Sequence, residues 1–301
     1  MTDPTSRRAA LKCLGVGAGT LFTLSGGIFS AFDMAQAHEA VGTPLFLQLS
    51  DSHIGFNKAA NTDVIGTLNR SIDMANALPQ APAFVVHTGD VSHLSRAEEF
   101  DTANQLLSRL KVRELHVVPG EHDVTDGPGT EFFARFGKPS GGRGYYSFDA
   151  QGVHFIALVN VMNFKANGLG ALGDDQLAWL ADDLAGRSAS QPVVVFAHMP
   201  LWTIYAPWGW GTAEGEQIAA LLRRFGSVTV LNGHIHQIVQ KVEGNITFHT
   251  ARSTAYPQPQ AGIGPGPGPL VVPADQLPGM LGVTVCAKRK ETLSLTDSTL
   301  A

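Results

Sequence analysis

The 301-residue chain has only two cysteines, Cys13 and Cys286, which rules out a disulfide framework. It also lacks a basic excess. Twenty-one Lys and Arg stand against 26 Asp and Glu, a formal charge of −5, so there is no electrostatic basis for holding a nucleic-acid backbone. Binding to a nucleic-acid polymer is therefore not expected. Beyond one stretch near the amino terminus there is no long apolar run, and no stable membrane anchor is expected from the rest. Hydrophobic side chains are plentiful, at 44% against 16% charged, enough for a full core in one large or two small domains.

The exceptional stretch has the composition of an address. Ser6-Arg7-Arg8-Ala9-Ala10-Leu11-Lys12 precedes 19 uncharged residues from Leu14 to Phe32, and Ala35-Gln36-Ala37 supplies the small residues that a signal peptidase needs. Residues 1–37 thus resemble a twin-arginine export signal. Five glycines make the run only moderately hydrophobic, although a retained spanning helix is the alternative. Cleavage after Ala37 would leave a domain of residues 38–301 with 18 basic and 24 acidic side chains, a net charge of about −6. That domain is expected to be periplasmic or secreted, with the twin-arginine translocation machinery as its transport partner.

From Pro44 one pattern repeats: a short apolar run ends in a polar cluster, and an amphipathic stretch follows. Leu45-Phe46-Leu47-Gln48-Leu49 runs into Asp51-Ser52-His53, and Phe84-Val85-Val86 into Gly89-Asp90. Leu115-His116-Val117-Val118 leads to Gly120-Glu121-His122-Asp123. Val193 to Phe196 leads to His198, and Val228 to Leu231 to Gly233-His234-Ile235-His236. Apolar spacing predicts helices near Asp63 to Leu78, Arg96 to Leu110, Asp174 to Leu184 and Gly215 to Phe225. Further strands are expected at Val153 to Val159, Ile246 to Thr250, Val283 to Ala287 and Thr292 to Leu295. This alternation predicts an α/β layered fold. Residues 257–282, dense in Pro and Gly, are expected to form a surface loop.

A lone histidine after a strand is more often a packing residue than a ligand. Here, however, the series Asp-x-His, Gly-Asp, Gly-Glu-His-Asp, His, Gly-His-x-His appears once, in sequence, with every member at the end of an apolar run. Sheets of this kind gather such ends at one rim. In that order and spacing the sequence resembles the calcineurin-like metallophosphoesterase family, and in look most its class III cyclic-nucleotide phosphodiesterases and their exported relatives. The resemblance implies a four-layer α/β/β/α sandwich with two metal ions in a cleft. It implies that Asp51, His53 and His236 hold one ion, that His198 and His234 hold the other, and that Asp90 bridges them. Glu121 stands where the family has a metal-binding Asn, and His122 matches the family's histidine that faces the leaving group.

The chemistry can be argued on its own. Phosphoester hydrolysis at neutral pH needs a nucleophilic hydroxide and a sink for charge on the equatorial oxygens, and two ions about 3.5–4 Å apart supply both. Mixed imidazole and carboxylate ligands suit two divalent or mixed-valence ions of Mn, Fe or Zn. If Glu121 coordinates, the adjacent His122 diverges from it and is free to serve the leaving oxygen, with Asp123 as its candidate orienting partner. Coordination by Glu121 adds a third carboxylate, which should tighten the second ion, favour a harder one, and disfavour dianionic monoesters relative to monoanionic diesters. The rival is that Glu121 is too long and turns aside.

The expected function is an exported metallophosphoesterase acting on phosphodiester or phosphomonoester bonds of a small substrate. A general periplasmic phosphomonoesterase and a degenerate metal-binding scaffold without turnover are the alternatives. Specificity is expected in the loops 56–62, 124–144, 202–214 and 257–282. Trp202, Tyr205, Trp208 and Trp210 would wall the cleft or else cover a satellite core or a dimer surface, which leaves a homodimer open. His93 is expected to line the entrance, His87 to be buried, and His249 and Arg252 are further candidates for reaching substrate. His38, His116 and His154 look incidental.

Overall fold

The computed structural model describes residues 20–22, 43–165, 168–289 and 292–301. Cys13, His38 and most of the expected export signal lie outside them. The strands are β1 (Thr20–Phe22), β2 (Thr43–Leu49), β3 (Phe84–His87), β4 (Glu114–Val117), β5 (Tyr146–Ala150), β6 (Val153–Ala157), β7 (Val193–Phe196), β8 (Val228–Asn232), β9 (Gln240–Glu243), β10 (Ile246–Thr250), β11 (Gly282–Arg289) and β12 (Thr292–Thr299). The helices are α1 (Val64–Asn76), α2 (Ala97–Leu107), α3 (Thr130–Phe136), α4 (Asp174–Ala185), α5 (Gly215–Leu222) and α6 (Leu277–Met280).

Two six-stranded sheets form, in the orders β1-β12-β11-β2-β3-β4 and β5-β6-β7-β8-β10-β9. In the first, β2, β3 and β4 run parallel; in the second, β6, β7, β8 and β10 do. The strands of β7 show how side-chain alternation builds layers. Val194 and Phe196 join Phe46, Phe84, Phe155 and Leu231 between the two sheets, while Val193 and Val195 pack outward against Leu180 and Leu184 of α4 and Ile218 and Leu222 of α5. On the far side Leu47, Leu49 and Val85 meet Leu68 and Ile72 of α1 and Phe100 of α2. The order is thus helix, sheet, sheet, helix, the expected four-layer sandwich. Each fully buried Leu or Phe contributes about 1.5–3 kcal/mol. Cys286 lies in the inter-sheet core, where burial pushes its thiol up and leaves it inert.

Local chemistry sets the helix starts. Asp63 accepts from the Gly66 N–H at 2.8 Å and begins α1, whose buried Leu68, Ile72 and Ala75 recur at helical spacing. Asp174 and Asp175 occupy the first turn of α4, where their charge meets the helix dipole.

Several elements differ from the sequence expectation, among them β5 (Tyr146–Ala150), where no strand was expected. Residues 124–144, expected as a specificity loop, hold α3, whose Phe132 and Phe136 join the outer core; seven residues between Gly129 and Gly137 are too short to show a period. The edge strand β9 is polar and mostly exposed, so no alternation marks it. The Pro/Gly segment is not wholly irregular, since it contains α6 and gives its last residue, Gly282, to β11. In addition, Thr20–Phe22, expected inside the export signal, pairs antiparallel with β12, an open sheet edge that accepts any extended segment. Among the described residues no helix is long and apolar enough to cross a membrane.

Candidate metal centre

Each predicted ligand follows a strand at the same rim. Asp51 and His53 follow β2, Asp90 follows β3, Glu121 opens a short turn after β4, His198 follows β7, and His234 and His236 follow β8. The chain must reverse abruptly there to aim side chains back over the sheets. Asp51, His53, Asp90, His234 and His236 accordingly adopt left-handed backbone, with φ of 53°, 42°, 53°, 69° and 56°. Asp and His tolerate this region better than most residues, and such local strain is held only where surroundings over-determine it. Two glycines let the loops close on one another. A Cβ on Gly89 would lie 2.6 Å from His198 Nδ1, and one on Gly233 would lie 2.1 Å from Ser50 Oγ.

The ligand atoms fall into two sets. In the first, His236 Nε2 is 3.3 Å from Asp51 Oδ1 and 3.2 Å from His53 Nε2. In the second, Glu121 places Oε2 2.8 Å from His198 Nε2 and Oε1 2.8 Å from His234 Nδ1. Asp90 stands between them: its Oδ2 is 3.4 Å from both His53 Nε2 and His198 Nε2. Glu121 therefore does not turn aside.

These residues fit a pair of ions on two grounds. Glu121 Oε2, His198 Nε2 and both His234 nitrogens are buried without a hydrogen-bond partner, although they lie close together; their lone pairs converge on a common space and do not meet head-on. The opposite edges of the ligands are held. His198 Nδ1 donates to Thr88 O at 2.7 Å and His236 Nδ1 to Tyr256 O at 2.5 Å, which leaves each Nε2 facing inward. Ser50 Oγ and the His234 N–H donate to Asp51, and the His122 N–H donates to Asp90 Oδ1 at 2.9 Å.

The charges are interlocked. Burial would raise the carboxyls of Asp51 and Glu121, but facing histidines hold both below their ordinary values: His236 for Asp51, His234 and His198 for Glu121. Burial, with His236, His122 and His93 nearby, keeps His53 well below its ordinary value. Burial also opposes charge on His198, yet Asp90 and Glu121 outweigh it and raise that ring well above normal. A cation held there would take the place of that proton.

His122 and Asp123 part company. The His122 ring is oriented by the His93 carbonyl, which accepts from Nδ1 at 2.8 Å. Asp123, expected to orient it, is fully buried and accepts instead from the N–H groups of Val91, Ser92 and Gly120 and from Ser92 Oγ. It ties the loop after β3 to the loop after β4 and so fixes where Asp90 and Glu121 stand. Burial opposes charge on His122, but Asp90 and Glu121 carry its value above normal.

A cleft of about 250 Å³ opens over the two sets, lined by His53, Asp90, Glu121, His122 and His234 on its floor. Phe56 and Lys58, Trp208 and Trp210, Tyr256, and Pro267 to Pro269 wall it. The loops 56–62, 202–214 and 257–282 thus reach the cleft, whereas 124–144 contributes no lining residue. The tryptophan cluster divides, for Trp202 packs on Phe248 with ring centroids 5.0 Å apart. His249 and Arg252 are corrections: His249 Nε2 bonds Asp297 at 3.0 Å, Arg252 donates to Met280 O, and neither lines the cleft. His87 is buried beneath the first set, bonded to Ser52 Oγ at 2.7 Å. His154 is clamped between Asp149 and Asp183, a tie between β6 and α4 that spacing alone does not reveal. Tyr256 is a residue that sequence reasoning missed, since it carries no motif; its ring stacks on His53 at 4.8 Å.

Known proteins resemble this chain in sequence and fold. The chain is 29% identical over 203 residues to bovine (Bos taurus) serine/threonine-protein phosphatase CPPED1, a match that covers 61% of this chain and 64% of that protein. It is 28% identical over 241 residues to the glycerophosphodiester phosphodiesterase GpdQ of Enterobacter lignolyticus, covering 71% and 79%. A dimetal phosphatase from Danio rerio superposes with a TM-score of 0.66 at 14% identity, over 86% of this chain and 97% of that one, which speaks to the fold. The profile of the calcineurin-like phosphoesterases matches residues 44–238, and the chain belongs to that family.

Proposed function

We propose that this protein is an exported phosphoester hydrolase whose centre holds two ions between Asp51, His53, Asp90 and His236 on one side and Asp90, Glu121, His198 and His234 on the other. The observation that carries this reading is the placement of Asp90 Oδ2 at 3.4 Å from one histidine of each set. Ions of Mn, Fe or Zn bound there would supply a nucleophile at neutral pH and neutralise charge on the phosphoryl oxygens. The residues do the rest. His122, held at Nδ1 by the His93 carbonyl, has Nε2 left to deliver a proton to the departing oxygen. Phe56, Trp208 and Tyr256 give a planar or apolar substituent a surface, and Lys58 gives an anionic one a partner.

The cleft volume suits a small substrate. Three carboxylates among the ligands favour a monoanionic diester over a dianionic monoester, because they leave less positive charge for the second negative oxygen. Small phosphodiesters, cyclic nucleotides among them, are therefore the preferred class. Phosphomonoesters are the second reading, supported by the phosphatase relative. Export rests on Arg7 and Arg8 with the apolar run behind them. Purified protein loaded with Mn, Fe or Zn should turn over bis-nitrophenyl phosphate faster than nitrophenyl phosphate and retain two ions per chain. No turnover of either ester would reduce it to a binding scaffold, and export surviving Arg7→Lys with Arg8→Lys would refute the twin-arginine route.

A further inference from the structure

His93 lies outside both ligand sets, yet it touches both a ligand and the proton donor. His53 presents Nε2 to Asp90 and His236, so its hydrogen belongs on Nδ1, and an imidazole ligand needs an acceptor there to fix its tautomer. That nitrogen is 3.4 Å from His93 Nδ1. At the same time the His93 carbonyl accepts from His122 Nδ1 at 2.8 Å, and the two rings stack with centroids 4.8 Å apart and planes 16° from parallel. Phe56 closes the other side edge-on at 5.1 Å.

The backbone brings the two loops together. The loop after β3 is zipped to the loop after β2 by His53 N–H to Asp90 O, Ile54 N–H to Val91 O and His93 N–H to Ile54 O, all at 2.9 Å. The His93 backbone cannot move away from the loop that carries His53 without opening that ladder.

We propose, resting on the dinuclear reading above, that His93 is a positioning residue that sets two tautomers at once: its ring fixes His53 for the first ion, and its carbonyl fixes His122 for the leaving group. The arrangement also decides a rival. His53, His93 and His122 offer nitrogens within 4.8 Å of one another, as a third ion site would. With its Nε2 in the first set and its Nδ1 hydrogen shared with His93 Nδ1, His53 has no lone pair left for such a site, and His93 is left with its own proton on Nε2.

The test uses His93→Phe, which keeps a flat ring and the carbonyl but has no acceptor, and His93→Asn, whose amide oxygen can replace Nδ1. Both are checked for folding by circular dichroism, with His93→Leu standing in should the Phe variant not fold. Metal-free protein is titrated with Mn by calorimetry, and the first-set step is assigned as the one that Asp51→Asn abolishes. In His93→Phe that step should weaken roughly 10- to 100-fold with the other unchanged. In His93→Asn it should return to within about threefold of the parent, a rescue that packing alone would not give. Equal affinities in His93→Phe and the parent, no rescue by Asn, or a third Mn per chain that vanishes with the ring would each overturn the proposal. A parent chain that binds fewer than two Mn would overturn the dinuclear reading, and this proposal with it.

Discussion

The two ligand sets share Asp90 but differ in how they meet solvent. Asp51, His53 and His236 are at most 1% exposed; Ser50, His93 and Tyr256 bond their side chains, and Ser253 Oγ donates to the Asp51 backbone carbonyl. In the other set His198 is as deeply buried, but the side chains of Glu121 and His234 are 28% and 12% exposed and form part of the cleft floor. Ligands packed on all sides move little and give up an ion slowly, whereas ligands at a cleft wall reorganise with what enters it. The difference predicts a division of labour once ions are bound: the buried position would retain its ion, and the open one would exchange it with the medium and the substrate.

The strongest way to break that comparison is to remove the residue common to both halves. Asp90→Asn should weaken both ions and lower kcat/KM by at least about 10³-fold, measured by metal content and diester hydrolysis. Retention of one full-strength ion would show the halves to be independent. His122→Gln tests the boundary of the sets, because it should lower kcat by roughly 10²-fold with two ions still bound. Loss of an ion in that variant would make His122 a ligand. Glu121→Gln sharpens the comparison from the open side: the exchangeable ion should weaken about tenfold and the retained one not at all. The diester-to-monoester ratio of kcat/KM should fall as well, since one negative charge has left the floor.

The last effect is on stability rather than activity and concerns the support under the retained half. His87 is buried and its value is pushed down to about 4, chiefly by burial. The folded value lies below the unfolded one of about 6.5, so the unfolded chain binds more protons between the two. Stability from the neutral ring is therefore complete above about pH 6.5 and is lost as the pH falls toward 4. His87→Gln, followed by denaturant melts of metal-free protein, should reduce that loss by on the order of 2–3 kcal/mol.

Much of this molecule was legible because strands advertise themselves twice. Val193 to Phe196 is apolar at every position, as burial on both faces demands, and it stops at a residue with a chemical function. The same logic singled out Asp51, Asp90, His198 and His234 as residues at strand ends, while their grouping around two ions came from the family resemblance. It could not locate contacts made across the rim by backbone atoms, such as those of Tyr256 O and His93 O, because a carbonyl leaves no trace in residue type. Nor could it separate Asp123 from His122, which are neighbours in the chain but point to opposite sides of one short turn. Short elements, the seven-residue α3 above all, fell below the length at which a period can be read.

The left-handed turns at five ligand positions have a consequence for anyone who would rebuild this centre elsewhere. Copying the side chains onto ordinary helices or strands would scatter them, because their aim comes from a peptide backbone bent the unusual way at each one. A donor scaffold must supply five sharp reversals at adjacent strand tips before any histidine or carboxylate is chosen.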